Sequence, residues 1–324
     1  MNRNKSIQAI VEPCLIRVVA NPIQKEPGLP EPIDLRQQRI EEFLAARSLA
    51  ANSRKAYAED LARFTRWTDS AWGNVTQRQL IQFKQHLTRA ENGKRILADS
   101  SVRRILQTLK NFLGWMARSG YIEHDPSHEV RLPKLIEPEA DNLSDRQVKA
   151  IHEAAAKTSL PERNIALLLV LGHGLRASEA SNLNVGDFDG ERVKIRMAKA
   201  DSKGTVPLDF DTQMWVGNYL KMRESQGETL SKASPLFISH SNRNQGNRMS
   251  YYAIQKVCKG IAAVVGFDFH PHQLRHTFAT NLLLKGVNPY HVMTLTRHKT
   301  SQTFRRYTKA ADERAAEKAF REIL

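Results

Sequence analysis

Between residues 35 and 120, apolar side chains recur at the three- and four-residue spacing of helices with one buried face. Ile40, Phe43 and Leu44 make the first stripe. Tyr57, Leu61 and Phe64 make the second, after Asn52-Ser53, a pair suited to an N-cap. Thr76-Gln77-Arg78-Gln79 has the form of a capping box and leads into Leu80, Phe83 and Leu87. Ser100 or Ser101 opens a fourth helix, whose buried face is Val102, Leu106, Leu109, Leu113 and Met116; Gly120 ends it. The pattern predicts a helical bundle over residues 35–125. Ahead of it, Pro13, Pro22, Pro27, Pro30 and Pro32 make residues 1–34 a tail, with Ile10–Ala20 apolar enough to dock as a short arm. After it, Pro126, Pro133 and Pro138 with Glu137, Glu139 and Asp141 give residues 126–141 the composition of a linker.

The pattern from residue 142 onward is different. Ser144-Asp145-Arg146-Gln147 is a second capping box. Ile165–Leu171 is apolar on all sides, which predicts a buried helix. Gly172-His173-Gly174-Leu175-Arg176 then turns the chain into a new helix with Arg176 at its start. Val193, Ile195 and Met197 alternate with Lys194 and Arg196 as in a half-buried strand. Ala200-Asp201-Ser202 with Gly204 makes a turn, and Val206-Pro207-Leu208 returns, Pro207 requiring an edge or terminal position. Leu274, Phe278 and Leu282 predict a helix from Pro271 to about Lys285, with Gly286 as its stop. Asn288-Pro289 opens the next helix, which holds Val292 and Leu295 and ends near Arg297-His298. Ala310–Leu324 reads as an amphipathic helix, with Ala311, Ala315, Ala319 and Phe320 on one side. The expected fold class is mainly α with a small β-sheet.

Charge narrows the partner. Lys plus Arg number 49 against 34 Asp plus Glu in 324 residues, a net charge of +15 that suits a polyanion such as double-stranded DNA. The basic positions gather on predicted helix faces: Arg54 and Lys55, then Arg103, Arg104 and Lys110 beside Asn111, and later Arg248, Tyr252 and Lys256. Lys199 and Lys203 sit in or beside the hairpin loop. Cys14 and Cys258 form no CxxC or metal spacing, so a reducing cytoplasm is the expected setting. No apolar run approaches the roughly 18–20 residues that a membrane span needs.

The chemistry centres on His272 and Arg275. They lie three residues apart, on one face of the first turn of a predicted helix. A guanidinium grips a phosphate, and an imidazole beside it moves a proton. The phenol of Tyr307 supplies a nucleophile for that phosphate. Each residue also has an ordinary reading: Arg176 paired with Glu179 across a helical turn, His272 as a buried histidine, His298 as a helix cap, Tyr307 as a half-buried tyrosine. His270, His272 and His276 lack a neighbouring carboxylate or cysteine to complete a zinc site.

Taken together, Arg176, Lys199, His272-x-x-Arg275, His298 and Tyr307 fall in the order and rough spacing of the tyrosine recombinases, the Xer and phage-integrase superfamily. Gly174-Leu175-Arg176-Ala177-Ser178-Glu179 resembles the first arginine box of that family, and His272–Thr280 resembles the second. His298 and Tyr307 match its last histidine and its nucleophile, nine residues apart. Lys199 is a better match than Lys203 to the hairpin lysine. Arg297 departs from the pattern, since the family usually has glycine there.

The resemblance implies an N-terminal helical core-binding, SAM-like domain over 35–125 and an α+β catalytic domain over 142–324, with DNA clamped between them. It implies that Tyr307 forms a 3′-phosphotyrosyl link, Arg176 and Arg275 hold the non-bridging oxygens and His298 adds a hydrogen bond. His272 would accept the phenol proton, Lys199 would donate one to the leaving 5′-oxygen, and Glu179 would support the site. Fixed cations would replace a metal ion, and no ATP would be needed. The working form would be a homotetramer on two sites, a dimer on each, with a C-terminal helix docked into a neighbouring protomer and room for an accessory DNA-bending or regulatory protein. Two other readings share part of the pattern: a DNA-binding protein that never cleaves, and a type IB topoisomerase. The DNA site, and the choice among chromosome dimer resolution, transposon resolution and element integration, are not written in the chain.

Overall fold

The computed structural model describes residues 35–91, 94–135, 142–196 and 203–301, together with Phe304, Asp312, Ala316, Phe320 and Arg321. The chain divides into two compact units, Met1–Leu135 and Ile136–Leu324. The described parts are mainly helical, with two small two-stranded antiparallel sheets.

The first unit holds α1 (Leu35–Ala45), α2 (Ala51–Trp67), α3 (Gln77–Thr88), the minimal hairpin of β1 (Ala90–Glu91) and β2 (Lys94–Arg95), and α4 (Asp99–Arg118). The stripes read from the sequence become its core, where Phe43, Phe64, Phe83 and Phe112 are fully buried. Two edge-on ring pairs interlock the helices, Phe43 with Phe112 at 5.2 Å and Phe64 with Phe83 at 5.0 Å. The Thr76 capping box forms as expected: Thr76 Oγ1 accepts from the Gln79 N–H, and Gln79 Oε1 accepts from the Thr76 N–H. Gly120, at φ 74°, closes α4 with the Tyr121 N–H bonded to the Met116 carbonyl.

Two expected caps are not caps. The α2 helix begins at Ala51 after an extended Ala50, so Asn52 and Ser53 lie inside its first turn. The α4 helix begins at Asp99, upstream of Ser100 and Ser101, and carries that carboxylate in the first turn, where the helix dipole favours it. The stretch after α4 also differs from a solvated linker. Val130 is buried in the core, and the carbonyls of Ser127, His128 and Val130 accept from Lys110 Nζ.

In the second unit the elements are α5 (Asp145–Ala156), α6 (Pro161–Gly172), α7 (Ala177–Asn182), β3 (Arg192–Ile195), β4 (Gly204–Pro207), α8 (Phe210–Ser225), α9 (Tyr251–Val265), α10 (Pro271–Leu284) and α11 (Pro289–Thr296). The apolar α6 is central and packs against α5, α8 and α10. Residues 165–168, Val170 and Leu171 are buried, as a helix apolar on all sides requires. In the β3–β4 ladder Val193 pairs with Val206 and Ile195 with Gly204, so the buried side chains share one face. Gly204 therefore opens β4 and lies outside the turn; Met197 and the Ala200-Asp201-Ser202 turn lie outside the described residues. The chain entering this unit is tied to α10, with the Leu143 N–H bonded to Thr277 Oγ1 at 2.9 Å.

Gly174 joins α6 to α7 at φ +79°, and a Cβ there would stand 2.8 Å from Phe278 Cδ1 on α10. A side chain at this position meets both left-handed strain and a packed ring. Gly174→Ala is expected to lower stability by about 2–4 kcal/mol in urea unfolding. A loss within about 0.5 kcal/mol contradicts the close approach.

Candidate active site

Arg176 is the N-cap of α7, and Glu179 lies one turn later. The Arg176 backbone N–H donates to Glu179 Oε2 at 2.8 Å, and its Nη1 donates to Oε1 at 2.5 Å. Glu179 is 1% exposed. Arg297 Nη2 donates to Glu179 Oε2 at 2.6 Å, and Arg275 Nη1 lies 3.9 Å from the same oxygen. Three guanidiniums thus surround one buried carboxylate. Burial pushes the Glu179 carboxyl up, but the charge of Arg297 and the bonds from Arg176 outweigh it and hold the group below its ordinary range.

Arg275 comes from the first turns of α10 and is fully buried. Its Nη1 donates to the Gly174 carbonyl and its Nη2 to the Thr296 carbonyl. That Nη2 also lies 3.4 Å from His298 Nε2. Arg297 ends α11 in the left-handed region, φ 56° and ψ 45°, where it is the only non-glycine among the described residues with positive φ. Its Nη1 donates to the Leu295 carbonyl at 2.7 Å and its Nη2 to the Gly174 carbonyl at 3.0 Å.

His298 sits between these groups and the ring of Phe304, 5.3 Å away. Its Nδ1 is 2.7 Å from Thr296 Oγ1, whose hydroxyl donates to the Val292 carbonyl at 2.6 Å. With that hydroxyl hydrogen committed, the oxygen accepts the Nδ1–H, and Nε2 turns its lone pair toward Arg275. Burial first, then the charges of Arg275 and Arg176, push the imidazole down to about 3, so it is neutral near pH 7. His272 is exposed at the start of α10, edge-on to the His276 ring at 4.3 Å. His272 and Arg176 line one cavity of about 220 Å³ together with Ser178, His270, Tyr251 and Gln255. The Arg176 side chain keeps 27% of its surface open. Four of the expected site residues, Arg176, His272, Arg275 and His298, therefore gather at one place. Lys199 and Tyr307 lie outside the described residues.

The expected DNA-contacting positions divide. Lys55, Lys203, Tyr252 and Lys256 are exposed, and Lys203 shares a cavity of about 360 Å³ with Lys194 and Arg196. Others bond protein groups, Arg54 and Arg104 while remaining exposed. Arg248 donates to the carbonyls of Ser181 and Leu183, at 2.9 and 2.8 Å. Arg103 donates to the Pro133 carbonyl at 2.7 Å, Arg104 pairs with the buried Asp60, and Asn111 bonds the Tyr57 hydroxyl at 3.3 Å. Arg54 reaches the Leu44 carbonyl at 3.4 Å. For Arg103 and Lys110 the reason is the segment after α4: it folds back along the helix and presents carbonyls to flank residues that a helical pattern alone leaves facing water. Sequence reasoning marked Arg297 only as a departure, and missed its partners because they lie more than a hundred positions away, at Gly174 and Glu179.

Comparison with known proteins decides the family. Residues 141–314 match the phage integrase family, and residues 38–120 match the phage integrase N-terminal SAM-like domain. The chain belongs to the phage integrase family of tyrosine recombinases. It is 30% identical over 292 residues to tyrosine recombinase XerC of Herpetosiphon aurantiacus, covering 86% of this chain and 92% of that one. It is 32% identical over 289 residues to tyrosine recombinase XerD of Pseudomonas aeruginosa, covering 85% and 93%. The fold is similar to that of a lambda integrase tetramer bound to a Holliday junction, with a TM-score of 0.65 and 18% identity over 82% of this chain and 77% of that one. This recombinase cleaves and rejoins DNA at specific sites by the tyrosine mechanism. Among its described residues no helix is long and apolar enough to cross a membrane.

The neutral His298 of the recombinase has a consequence for acid stability. The unfolded imidazole takes up a proton near pH 6.5, whereas the folded one resists to about 3. The unfolded state binds more protons between those values, so stability is complete above the window and falls as pH drops through it. In urea unfolding from about pH 7.5 to about pH 4, His298→Gln should lose less stability than the native chain. Equal losses contradict the buried neutral imidazole.

Proposed function

We propose that the recombinase cuts each strand with Tyr307. The phenolic oxygen attacks the scissile phosphorus, the bond from phosphorus to the 5′-oxygen breaks, and a 3′-phosphotyrosyl ester forms. The phenol proton passes to His272, and Lys199 supplies a proton to the departing 5′-oxygen. The ester conserves the bond energy, so a 5′-hydroxyl from a second duplex reverses the step and rejoins the strands. Arg176 and Arg275 oppose the charge that builds on the non-bridging oxygens. His298 takes a proton as the phosphate arrives and then donates from Nε2. Residues 35–125 and 142–324 serve as the core-binding and catalytic domains, and Lys55, Lys203, Tyr252 and Lys256 are the first choices for contacts along the duplex.

What carries this reading is the gathering of Arg176 and Arg275 around Glu179, with His298 3.4 Å from Arg275 and His272 lining the same cavity as Arg176. The lambda integrase tetramer on a Holliday junction supports a tetramer on two DNA sites for this chain as well. The role is resolution or integration of DNA, including that of a mobile element, in the bacterial cytoplasm, with an accessory DNA-bending protein where the site requires one.

Incubation with a library of nicked duplexes, followed by recovery of DNA bound covalently to protein, identifies the site. Tyr307→Phe is expected to reduce adduct by about a thousandfold or more while still binding DNA. An adduct that persists in Tyr307→Phe removes that residue as nucleophile. Relaxation of supercoiled DNA without site preference would favour a type IB topoisomerase.

A further inference from the structure

We infer that Arg297 is a positioning residue for the strand-cleavage step, acting through Glu179, Gly174 and the start of β4 to hold Arg176, Arg275 and His298 in one arrangement. The inference rests on the reading that those three groups bind the scissile phosphate.

The backbone comes first. Position 297 is left-handed, a conformation that glycine adopts freely and that costs other residues about 1–2 kcal/mol. The conformation aims the chain: the Arg297 carbonyl lies 3.4 Å from Arg176 Nη2, and His298 follows directly. A glycine would hold this turn without strain, so the strain is kept for the side chain.

That side chain enters the protein, 4% exposed, and reaches three elements. On α7 it bonds Glu179 Oε2 at 2.6 Å, the carboxylate that also grips Arg176. In the turn before α7 it bonds the Gly174 carbonyl at 3.0 Å, the acceptor also used by Arg275. On the hairpin its stem runs past Gly204, where a Cβ would lie 3.3 Å from Arg297 Cδ. Gly204 follows Lys203, opens β4 and stands five positions after Lys199 in the chain. Arg297 thus shares one acceptor with each arginine of the site, precedes its histidine and packs against the start of β4. With Arg297 in place, the negative charge of Glu179 is divided between guanidiniums, and Arg176 retains more of its positive charge for an incoming phosphate.

The test compares the wild type with R297G and R297K on a duplex recovered by covalent selection. Three readings are taken: thermal unfolding, DNA affinity, and the single-turnover rate of adduct formation between about pH 5.5 and 8.5. R297G is expected to fold and to bind DNA within about twofold of wild type, yet to form adduct at least roughly tenfold more slowly. Its rate should fall further toward acid pH, because Glu179 without Arg297 protonates more readily. Guanidinium ion at about 50 mM should restore part of the rate to R297G and none to wild type, because it can enter the vacated space and pair with the carboxylate. R297K, with the charge but not the planar fork, should fall between the two. A wild-type rate and pH profile in R297G overturn the inference. So does a loss of DNA binding that matches the loss of rate, which marks a structural role alone. Should R297G fail to fold, R297K decides on the same criteria. A wild type that forms no adduct with any duplex overturns the phosphate-site reading, and this inference with it; a failure confined to the variants' predicted behaviour leaves that reading standing.

Discussion

The buried carboxylate of Glu179 organises the catalytic unit. A lone carboxylate at 1% exposure is costly, and so is each guanidinium packed beside it. They are tolerated because they meet: Arg176 at 2.5 Å, Arg297 at 2.6 Å and Arg275 at 3.9 Å. The carbonyls of Gly174, Leu295 and Thr296 take further guanidinium hydrogens. Among the described residues, three guanidiniums share this one carboxylate. Under the proposed function, a DNA phosphate is the further anion that Arg176 and Arg275 take.

This arrangement explains why the site needs so much packing around it. Gly174 places the turn before α7 against Phe278 of α10 at a distance no side chain allows, which brings Arg176 and Arg275 together. Thr296 fixes the His298 ring through Nδ1 while its carbonyl takes an Arg275 hydrogen. Under the proposed function, the positive groups are thus set before DNA arrives, and little reorganisation is left for the moment of reaction. The neutral His298 belongs to the same balance, since a further buried positive charge would add to the repulsion until phosphate offsets it.

Much of this was legible in the chain because it is local. Periodicity marked the four helices of the first unit and the buried α6, and the capping boxes at Thr76 and Ser144 formed as written. Short-range spacing alone puts His272 and Arg275 on one helical turn and Arg176 at a helix start. Non-local features were not legible. The segment 126–135 reads as wet linker, yet its carbonyls draw Lys110 and Arg103 inward. Arg248 reads as a basic DNA-facing position, yet it secures the end of α7. Arg297 reads as an oddity against a family pattern, and only its contacts with Gly174 and Glu179 give it a function. In each case the deciding partner is a carbonyl or carboxylate brought near by the fold, and side-chain type alone does not announce it.

If Glu179 holds the site together by charge, then removing the charge while keeping the shape is the direct test. Glu179→Gln removes the negative charge that Arg176 and Arg297 pair with and that Arg275 lies beside, and urea unfolding at neutral pH should show a loss of about 3–5 kcal/mol. A loss below about 0.5 kcal/mol would mean that packing, and not the carboxylate, sets the geometry, and would contradict a site held together by charge.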